Sequence, residues 1–395
     1  MSKPRRANRD LIKAMNRNLI LNLVRRERSV SRTQITDMSG LSVGAVSQIT
    51  NDLLEEGWFL AAGESDYTGG RRQEMLRLNP DAGRVIGLKL MENRVVCAVT
   101  DLEAKVLYYT ERELTYDHTA QAVSQALSRT IQDALQEARL KRKDVLGIGI
   151  GLAGIVDYLN GIVEYSPYFH WRRVPLAEMI RQQLGLPVYL ENDVNTLTIA
   201  EQLFGHGQHV SNFVVVTIGR GIGMGMSLNH QLYQGARGAG EIGHIYVTAE
   251  PVRCDCGNNG CLEAVASDPA VLSRLHQQGY AEFTAIDQVA AAAGQGHAAA
   301  KEALNRSGYY LGVGLSTIVN LLHPALIVVS GEGVIAGDER LHPMRSALED
   351  HCFNGLLHDV EVVIKPTDDQ MWARGAASIV VGRMFASPLV SVEAS

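Results

Sequence analysis

Apolar side chains recur at helical spacing along the first 60 residues of the chain. Between residues 11 and 23 they return every four residues, which predicts one amphipathic helix over residues 9–26. A second, shorter helix is predicted to end at Gly40, because glycine is the usual residue just past a helix end. The inward side chains are expected to be Leu11, Met15, Leu19 and Leu23 with Ile12 and Ile20 beside them, and Ile35 and Met38 in the second helix.

A third helix is predicted to follow, with Val46, Ile49 and Leu53 turned inward. Its other faces carry small and amide side chains. A helix that enters the major groove of DNA needs such groups, because Asn and Gln present a donor and an acceptor together to a base edge and Ser reaches bases or phosphate. The candidate DNA-binding residues of this helix are Ser42, which can also cap it, Gly44, Ser47, Gln48 and Asn51.

A hairpin of two strands, at 58–60 and 73–78, is predicted after the third helix. Its polar turn ends in two glycines followed by Arg71 and Arg72, and arginines in such a turn can enter a narrow minor groove. Helix-turn-helix geometry also occurs in purely structural helix pairs, so the three helices alone leave their role open. With the hairpin, residues 1–80 are predicted to form a winged helix-turn-helix DNA-binding domain.

From residue 81 onwards, strand-length apolar runs alternate with helical segments. Three strands in quick succession, a helix over 120–138 and a buried strand from Val145 open this part. The second half again alternates strands and helices, with a long helix over 297–322 before its last strand. Two related α/β lobes that flank a cleft are implied for residues 81–395. The three opening strands are predicted at 84–90, 94–100 and 105–109, and those of the second half at 213–218, 223–228 and 325–330, with one more near Ile245.

The chain has 395 residues, 46% of them apolar and 20% charged, which excludes a disordered chain or a miniprotein. It contains no apolar run of about 18 residues, and it opens on charged residues instead of an apolar signal core. Its five cysteines are an odd number in a chain long enough to fold without disulfides. Together these features predict a cytoplasmic protein without membrane insertion.

Charge is divided unevenly along the chain. Residues 1–80 carry a net charge of +4 and the remaining residues carry −10. A basic N-terminal region suits a polyanion partner such as DNA. A solvated basic helix face is the alternative, and charge alone does not separate the two.

Three of the cysteines form a compact group that suits a metal. Cys254 and Cys256 are too close along the chain for an unstrained disulfide, but two thiolates with one residue between them can chelate a tetrahedral ion. Cys261 returns through a flexible loop, and His244 can be the fourth ligand. Three sulfurs and one imidazole with no open position describe one structural zinc per chain. The alternative is three unligated cysteines in a surface loop. Cys97 and Cys352 are expected to be ordinary buried thiols.

These residues carry a resemblance to a known family. Gly243-His244 followed by the run from Cys254 to Glu263, with Glu191–Asn195 upstream, resembles the ROK family of repressors, open reading frames and sugar kinases. The resemblance covers nearly the whole chain, and a winged helix-turn-helix ahead of the sugar-binding part is similar to the transcriptional repressors of that family. It implies an α/β chain in which the head precedes a duplicated actin-like, ribonuclease H-like fold of the sugar-kinase type.

A candidate sugar site lies at the end of the predicted strand 189–191, just before the predicted helix 194–204. An α/β fold places ligands at this end of a strand. Carboxylates suit vicinal hydroxyls because each oxygen accepts a charge-assisted hydrogen bond. The resemblance implies sugar-hydroxyl contacts by Asn192, Asp193, Glu241, His244 and Glu263, with His244 giving its second ring nitrogen to the zinc. The alternatives are a helix cap for Asp193 and solvated surface acids for Glu241 and Glu263.

The resemblance also places Asp193 where the kinases of the family keep the base that activates a sugar hydroxyl. Phosphoryl transfer depends on holding the phosphates, however, and that apparatus is altered here. The stretch Lys89–Asn93 replaces a glycine-rich Asp-x-Gly-Gly-Thr loop, Arg220 replaces a small hydroxyl residue, and Glu332 stands among glycines. The chain is therefore predicted not to be an enzyme, and Asp193 is predicted not to be catalytic.

The leading hypothesis is a sugar-responsive repressor of carbohydrate-metabolism genes, released from its operator when a sugar binds. One alternative is an ATP-dependent sugar kinase with a regulatory DNA-binding head, and another is a regulator whose effector is a protein. The expected partners are operator DNA, a monosaccharide or sugar phosphate, and a second copy of the chain in a homodimer or tetramer. Tyr168 and Phe169 are expected to shape the pocket, and the identity of the sugar stays open.

Overall fold

The structure is a computed structural model that describes residues 9–64, 73–114, 118–236 and 238–385. It confirms the predicted fold class, an N-terminal winged helix-turn-helix followed by two α/β lobes of repeated design. In the described ranges, no helix is both long enough and apolar enough to cross a lipid bilayer.

The winged helix-turn-helix, called the head below, contains three helices and a small antiparallel sheet of order β1-β3-β2. Local sequence sets its boundaries: a capping box of Ser31 and Gln34 starts the second helix, Gly40 ends it in a left-handed conformation, and the Ser42 side chain caps the third. The elements are α1 (Arg9–Glu27), β1 (Val30–Ser31), α2 (Arg32–Ser39), α3 (Val43–Glu55), β2 (Phe59–Glu64) and β3 (Glu74–Leu78).

The buried faces of α1 and α2 differ in part from those predicted. In α1, Ile12 and Leu19 are 48% and 40% exposed, and the buried residues are Ile20, Leu23 and Val24. A series at four-residue spacing drifts by about 40° per step on a helix of 3.6 residues per turn, so it cannot stay on one narrow face. Met38 is 43% exposed, because α2 is only two turns long and buries Ile35 alone.

The first lobe is built on a five-stranded sheet of order β11-β7-β4-β5-β6, with a small three-stranded sheet beside it. Strands β4, β7 and β11 are parallel, whereas β5 and β6 run antiparallel to their neighbours. The elements are β4 (Arg84–Leu90), β5 (Arg94–Thr100), β6 (Val106–Glu113), α4 (Ala120–Glu137), β7 (Val145–Leu152), β8 (Ile155–Asp157), β9 (Ile162–Ser166), β10 (Trp171–Val174), α5 (Leu176–Leu184), β11 (Val188–Asn192) and α6 (Asp193–Phe204).

The second lobe repeats this arrangement in a sheet of order β14-β13-β12-β15-β16, in which the last three strands are parallel. The repetition confirms the predicted pair of related lobes. The elements are β12 (Phe213–Ile218), β13 (Ile222–Leu228), β14 (Gln231–Tyr233), α7 (Leu262–Ala266), α8 (Asp268–Gln277), α9 (Ile286–Gly294), α10 (Ala298–Leu322), β15 (Leu326–Gly331), α11 (Asp338–His351), β16 (Glu361–Pro366) and α12 (Asp369–Phe385).

The strand predicted near Ile245 is absent, and the chain there forms a short 3-10 turn over Ile242–His244. The reason is close packing on β13. A Cβ on Gly240 would lie 1.9 Å from the carbonyl oxygen of Met224, and one on Gly243 would lie 2.3 Å from that of Ile222. The backbone is therefore pressed against β13, and near Ile245 it forms only an isolated bridge between Tyr246 and Cys261.

The C-terminal helix α12 lies directly on the first sheet. A Cβ on Gly87 of β4 would lie 2.0 Å from the Ala373 carbonyl oxygen, and one on Gly149 of β7 would lie 2.0 Å from that of Ala376. Glycine is thus required at both points of contact. The same helix packs along α6 and forms one apolar cluster with the head, which includes Val381.

The head is fastened to the lobes by polar contacts from α1. The Asn22 side chain donates to the carbonyl oxygen of Phe385 at 2.8 Å, and Arg25 donates to that of Leu203, near the end of α6, at 3.0 Å. The Arg25 guanidinium also lies 5.3 Å from the centre of the Phe385 ring. Burial and the neighbouring charge of Arg26 lower the pKa of Arg25 to about 10, which leaves it cationic at neutral pH.

Candidate functional site

A cleft of about 1690 Å³ contains the predicted sugar site. Its walls come from β4, from the β11–α6 junction, from the turn between β12 and β13, and from the segment around the cysteines. The structure brings together in this cleft all five residues of the predicted sugar site, which are Asn192, Asp193, Glu241, His244 and Glu263.

Asn192 and Asp193 stand at the junction of β11 and α6. The Asn192 side chain caps α6, since its Oδ1 accepts from the Val194 amide at 2.9 Å, and its Nδ2 donates to the Gly154 carbonyl at 3.1 Å. Asp193 is buried, and its Oδ1 also accepts from the Val194 amide. The helix cap is therefore provided mainly by Asn192, and the second carboxylate oxygen of Asp193 is directed elsewhere.

Lys89 is the partner of that second oxygen, and the sequence did not reveal the pairing. Its buried ammonium donates to Asp193 Oδ2 and lies 4.4 Å from the centre of the Trp372 ring. The Trp372 indole N–H donates in turn to Glu332 at 3.0 Å. The one available signal was a lysine inside β4, which is otherwise apolar from Val85 to Leu90, because a buried lysine needs a counter-charge.

A second ion pair crosses the same part of the cleft. Arg220, in the turn between β12 and β13, lies 2.8 Å from a carboxylate oxygen of Glu92, in the turn between β4 and β5. Its guanidinium also lies 4.7 Å from the centre of the Tyr168 ring. Burial raises the pKa of Tyr168, and the negative charge of Asp193 adds to the shift. Tyr168 lines the cleft as expected, whereas Phe169 stacks on Trp171 in the core.

Glu263 and Glu241 differ in how they are held. Glu263 accepts from the Ile222 amide at 2.9 Å, so it is fixed against β13. Glu241 is exposed, with its nearer oxygen 3.9 Å from Nε2 of His244. Partial burial of its carboxyl group in the cleft raises the pKa of Glu241, the neighbouring His244 opposes the shift, and the charges of Glu263 and Asp193 add to it. The carboxylates of Glu241, Glu263 and Asp193 therefore lie near one another in the cleft.

His244 and the three cysteines fit a metal ion. Their ligand atoms all lie within 4.8 Å of one another, with Cys254 Sγ 3.6 Å from Nδ1 of His244 and Cys256 Sγ 3.7 Å from Cys261 Sγ. A tetrahedral ion with bonds of about 2.3 Å separates two sulfur ligands by roughly 3.8 Å. No disulfide joins these cysteines. Of the other two thiols, Cys97 is buried as predicted, whereas Cys352 is only half-buried.

Glu191 is a further residue that sequence analysis did not single out. It is buried behind Asn192, accepts from the Asn192 amide at 2.9 Å and from the Asn195 side chain at 3.0 Å, and also accepts from Gln234. Burial raises the pKa of Glu191, although these hydrogen bonds oppose the shift. Its position at the end of a strand and next to Asn192 was the signal that could have identified it.

The candidate DNA-contacting residues of the head lie on α3 as expected. Ser42, Gly44, Gln48 and Asn51 are exposed, and Ser47 is half-buried. Arg71 and Arg72 lie outside the described residues. Arg32 of α2 was not predicted: it donates to Asn51 at 3.1 Å and to Thr50 at 3.1 Å, and it forms an ion pair with Glu74 of β3. Arg32 thus links α2, α3 and the small sheet of the head.

Sequence comparison identifies both parts of the chain. Residues 85–383 match the model of the ROK family, and residues 16–59 match a model of winged helix-turn-helix DNA-binding domains. The chain is 28% identical to the xylose repressor of Caldicellulosiruptor bescii, over 96% of this chain and 99% of that protein. It is 29% identical to the DNA-binding transcriptional dual regulator NagC of Escherichia coli (strain K12), over 96% of this chain and 95% of that protein.

Two solved structures extend the comparison. One is a ROK family transcriptional regulator, a homologue of the E. coli MLC protein, with a TM-score of 0.84, 26% identity, and coverage of 98% of this chain and 100% of that one. The other is a ROK family glucokinase from Streptomyces griseus in complex with glucose and AMPPNP, with a TM-score of 0.66, 27% identity, and coverage of 75% and 99%. With the family model covering most of the sequence, the chain belongs to the ROK family.

Proposed function

We propose that the protein is a sugar-responsive transcriptional repressor of carbohydrate-metabolism genes. The observation that carries this proposal is a single helix: α6 begins at the candidate sugar residues and is hydrogen-bonded to the DNA-binding head near its other end, at Leu203. Similarity to a xylose repressor and to NagC supports the same function.

The head supplies the DNA contacts in this proposal. Gly44, Gln48 and Asn51 fall on one exposed face of α3, at the spacing of adjacent helical turns. In a homodimer, two such helices read a two-fold operator with half-sites about one helical turn apart. Arg71 and Arg72 add contacts in the minor groove. The proposed DNA-binding form is a homodimer in the cytoplasm.

The sugar binds through Asn192, Asp193, Glu241, His244 and Glu263. Each carboxylate accepts hydrogen bonds from adjacent hydroxyl groups. One structural zinc ion per chain is held by His244, Cys254, Cys256 and Cys261, a closed ligand set that leaves no position for a substrate. Zinc would fix the His244 ring so that its other nitrogen faces the sugar.

The same cleft argues against phosphoryl transfer. Asp193 is neutralised by Lys89, and a base must be free to accept a proton. The Glu332 carboxylate lies close to Gly219 of the glycine-rich turn, because a Cβ there would be 2.4 Å from its Oε2. A carboxylate at that point would repel a nucleotide phosphate.

Sugar binding is coupled to DNA release through α6 and through closure of the cleft. The ligand favours the closed form because it contacts both walls, and closure moves the first turn of α6 relative to the second lobe. Arg25 carries that displacement to the head through Leu203. Reciprocity then requires operator DNA to weaken sugar binding by the same factor, about 5- to 150-fold.

The test is an operator titration with and without a panel of sugars, including D-xylose, N-acetyl-D-glucosamine and D-glucose. We expect one sugar to reduce operator affinity in the wild type, and Glu241→Gln to abolish that response while operator affinity without sugar is unchanged. Glu250→Gln is the matched control, because Glu250 also lines the cleft and is exposed but belongs to an ion pair with Arg306.

If operator affinity is unaltered by every sugar, the proposal fails. If ATP and a sugar yield a sugar phosphate, the protein is a sugar kinase instead. Asp193→Asn is less suitable for this test, because it would leave the buried Lys89 ammonium without a counter-charge.

A further inference from the structure

On the basis of the proposed function, we infer that the effector is an uncharged sugar and that the Glu92–Arg220 ion pair makes the site reject phosphorylated sugars. The observation is the charge pattern around Asp193. The carboxylates at this end of the cleft outnumber the cations, and each cation already has a carboxylate partner in the described part of the chain. A phosphate group carries about −1.5 to −2 charges at neutral pH and would enter this surplus of negative charge.

The surplus can be read from the side chains that line the cleft near Asp193. Three of the six lysines and arginines that line the cleft belong to β4, to the start of β5 and to the turn between β12 and β13, and their partners are Asp193 for Lys89, Asp369 for Arg94 and Glu92 for Arg220. The other three, Arg253, Arg274 and Arg306, belong to the segment around the cysteines, to α8 and to α10. Glu241, Glu263 and Glu332 contribute three more carboxylates without a lysine or arginine partner in the ion pairs described above.

Lys89 cannot turn to a phosphate at low cost. Its ammonium is buried between Asp193 and the face of Trp372. Moving it to a ligand would leave the Asp193 carboxylate buried without a counter-charge, which is strongly unfavourable. Lys89 therefore compensates Asp193 and is not available as an anion-binding group.

Arg220 is the cation that could accept a phosphate, because its side chain is exposed and is held only at its tip. Glu92 lies 2.8 Å away and Tyr168 packs against the guanidinium. Both members of the ion pair are exposed, so the pair contributes little to stability. Its effect is to engage Arg220 and to add a negative charge at the mouth of the site.

Hydroxyl groups suit the same surroundings. Asp193, Glu241 and Glu263 are hydrogen-bond acceptors when ionised, and a sugar hydroxyl supplies a donor to each of them. A phosphate at neutral pH supplies hydrogen-bond acceptors almost exclusively, so its oxygens would face the carboxylate oxygens without a hydrogen atom between them and would be repelled. The site therefore selects for donors without negative charge.

The test measures binding of matched sugar pairs to the full-length, zinc-loaded protein by calorimetry. The probes are D-glucose and its 6-phosphate, N-acetyl-D-glucosamine and its 6-phosphate, and D-xylose and its 5-phosphate. We expect the uncharged member of the binding pair to have at least about tenfold higher affinity, since one unfavourable charge contact of roughly 1.4 kcal/mol corresponds to that ratio.

Glu92→Gln frees Arg220 and should raise the affinity for the phosphorylated sugar by about fivefold, while affinity for the uncharged sugar changes by less than about twofold. Glu250→Gln is the control for net charge. It removes the same charge from the same cleft and frees Arg306, which belongs to α10 and not to the turns that hold Glu92 and Arg220. We expect it to leave the ratio of the two affinities unchanged.

A phosphorylated sugar that binds the wild type more tightly than its uncharged counterpart overturns this inference and leaves the proposed repressor function in place. An equal gain in Glu92→Gln and Glu250→Gln also overturns it, because the net charge of the cleft would then explain the selectivity. Failure of all six probes to bind or to alter operator affinity overturns the proposed function, and this inference with it.

Discussion

The two sides of the cleft use charge in opposite ways. On the open side, formed by Glu241, His244 and Glu263, the two carboxylates have no lysine or arginine partner among the described ion pairs and face the cavity. On the closed side, formed by Lys89, Asp193, Trp372 and Glu332, charged and polar groups satisfy one another within the protein. The unpaired acceptors of the open side are free for a hydroxylated ligand, whereas on the closed side a sugar hydroxyl can only add to an Asp193 carboxylate that Lys89 already neutralises.

The largest expected effect comes from the metal ligands beside the open side. Cys256→Ser should reduce bound zinc from about one ion per chain to well below that value and weaken sugar binding, because the His244 ring loses its anchor. Metal analysis and calorimetry on untagged protein measure both. Cys352→Ser is the matched control, since Cys352 is a thiol outside the cluster. Full sugar affinity in zinc-free protein would show that sugar binding does not need zinc.

Breaking the ion pair on the closed side is expected to destabilise the protein by about 3–5 kcal/mol. Lys89→Met leaves the Asp193 carboxylate buried and unpaired, and denaturant unfolding measures the loss. Adding Asp193→Asn to the same chain should recover much of it, because the uncompensated charge disappears. Arg181→Met, which breaks an exposed pair with Glu178, should cost less than about 1 kcal/mol. If Lys89→Met and Arg181→Met lost equal amounts of unfolding free energy, the Lys89–Asp193 pair would behave like an exposed ion pair, which would contradict its assignment to a closed side.

Ligands should also distinguish the two sides. A sugar that binds the open side, present at a hundredfold excess over its Kd, stabilises the native state by about 2.7 kcal/mol. Millimolar Mg·ATP should leave the melting temperature unchanged, because the closed side has no unpaired group for its phosphates. Thermal unfolding with each ligand alone measures both effects. A clear shift with ATP would show that the closed side can open.

The smallest effect is expected from Trp372→Phe, which removes the indole N–H that donates a hydrogen bond to Glu332. A single hydrogen bond of this kind contributes about 0.5–1.5 kcal/mol, or somewhat more when its acceptor is charged. Unfolding measures that loss, and calorimetry should show sugar affinity within about twofold of the wild type. A tenfold loss of sugar affinity at unchanged stability would place Trp372 in the sugar site instead.

Features that depend on short stretches of sequence were predictable. His244 and the three cysteines, whose candidate ligand atoms lie within 4.8 Å of one another, fall within 18 residues of sequence, and the apolar spacing of α3 correctly identified Val46, Ile49 and Leu53 as buried. Helix caps at Ser42 and the turn at Gly40 follow from the same local rules.

Features that depend on how the lobes pack were not predictable. Lys89 and Asp193 are 104 residues apart, and Trp372 reaches Glu332 across 40 residues, so no local spacing indicates either contact. The same holds for Gly87, whose need for glycine arises from a helix nearly 290 residues later. These contacts exist only because the sheet, α6 and α12 meet in the folded chain.

In the proposed mechanism, the dimensions of α6 set the size of the response that a bound sugar would produce. Its twelve residues span about 18 Å, so a tilt of about 5° about the Asn192 end moves the far end by roughly 1.5 Å. A displacement of that size is enough to break a hydrogen bond of 3.0 Å such as the one from Arg25 to Leu203. The difference in sugar affinity between the two forms decides how often the helix tilts, and the length of the helix decides how far the head moves when it does.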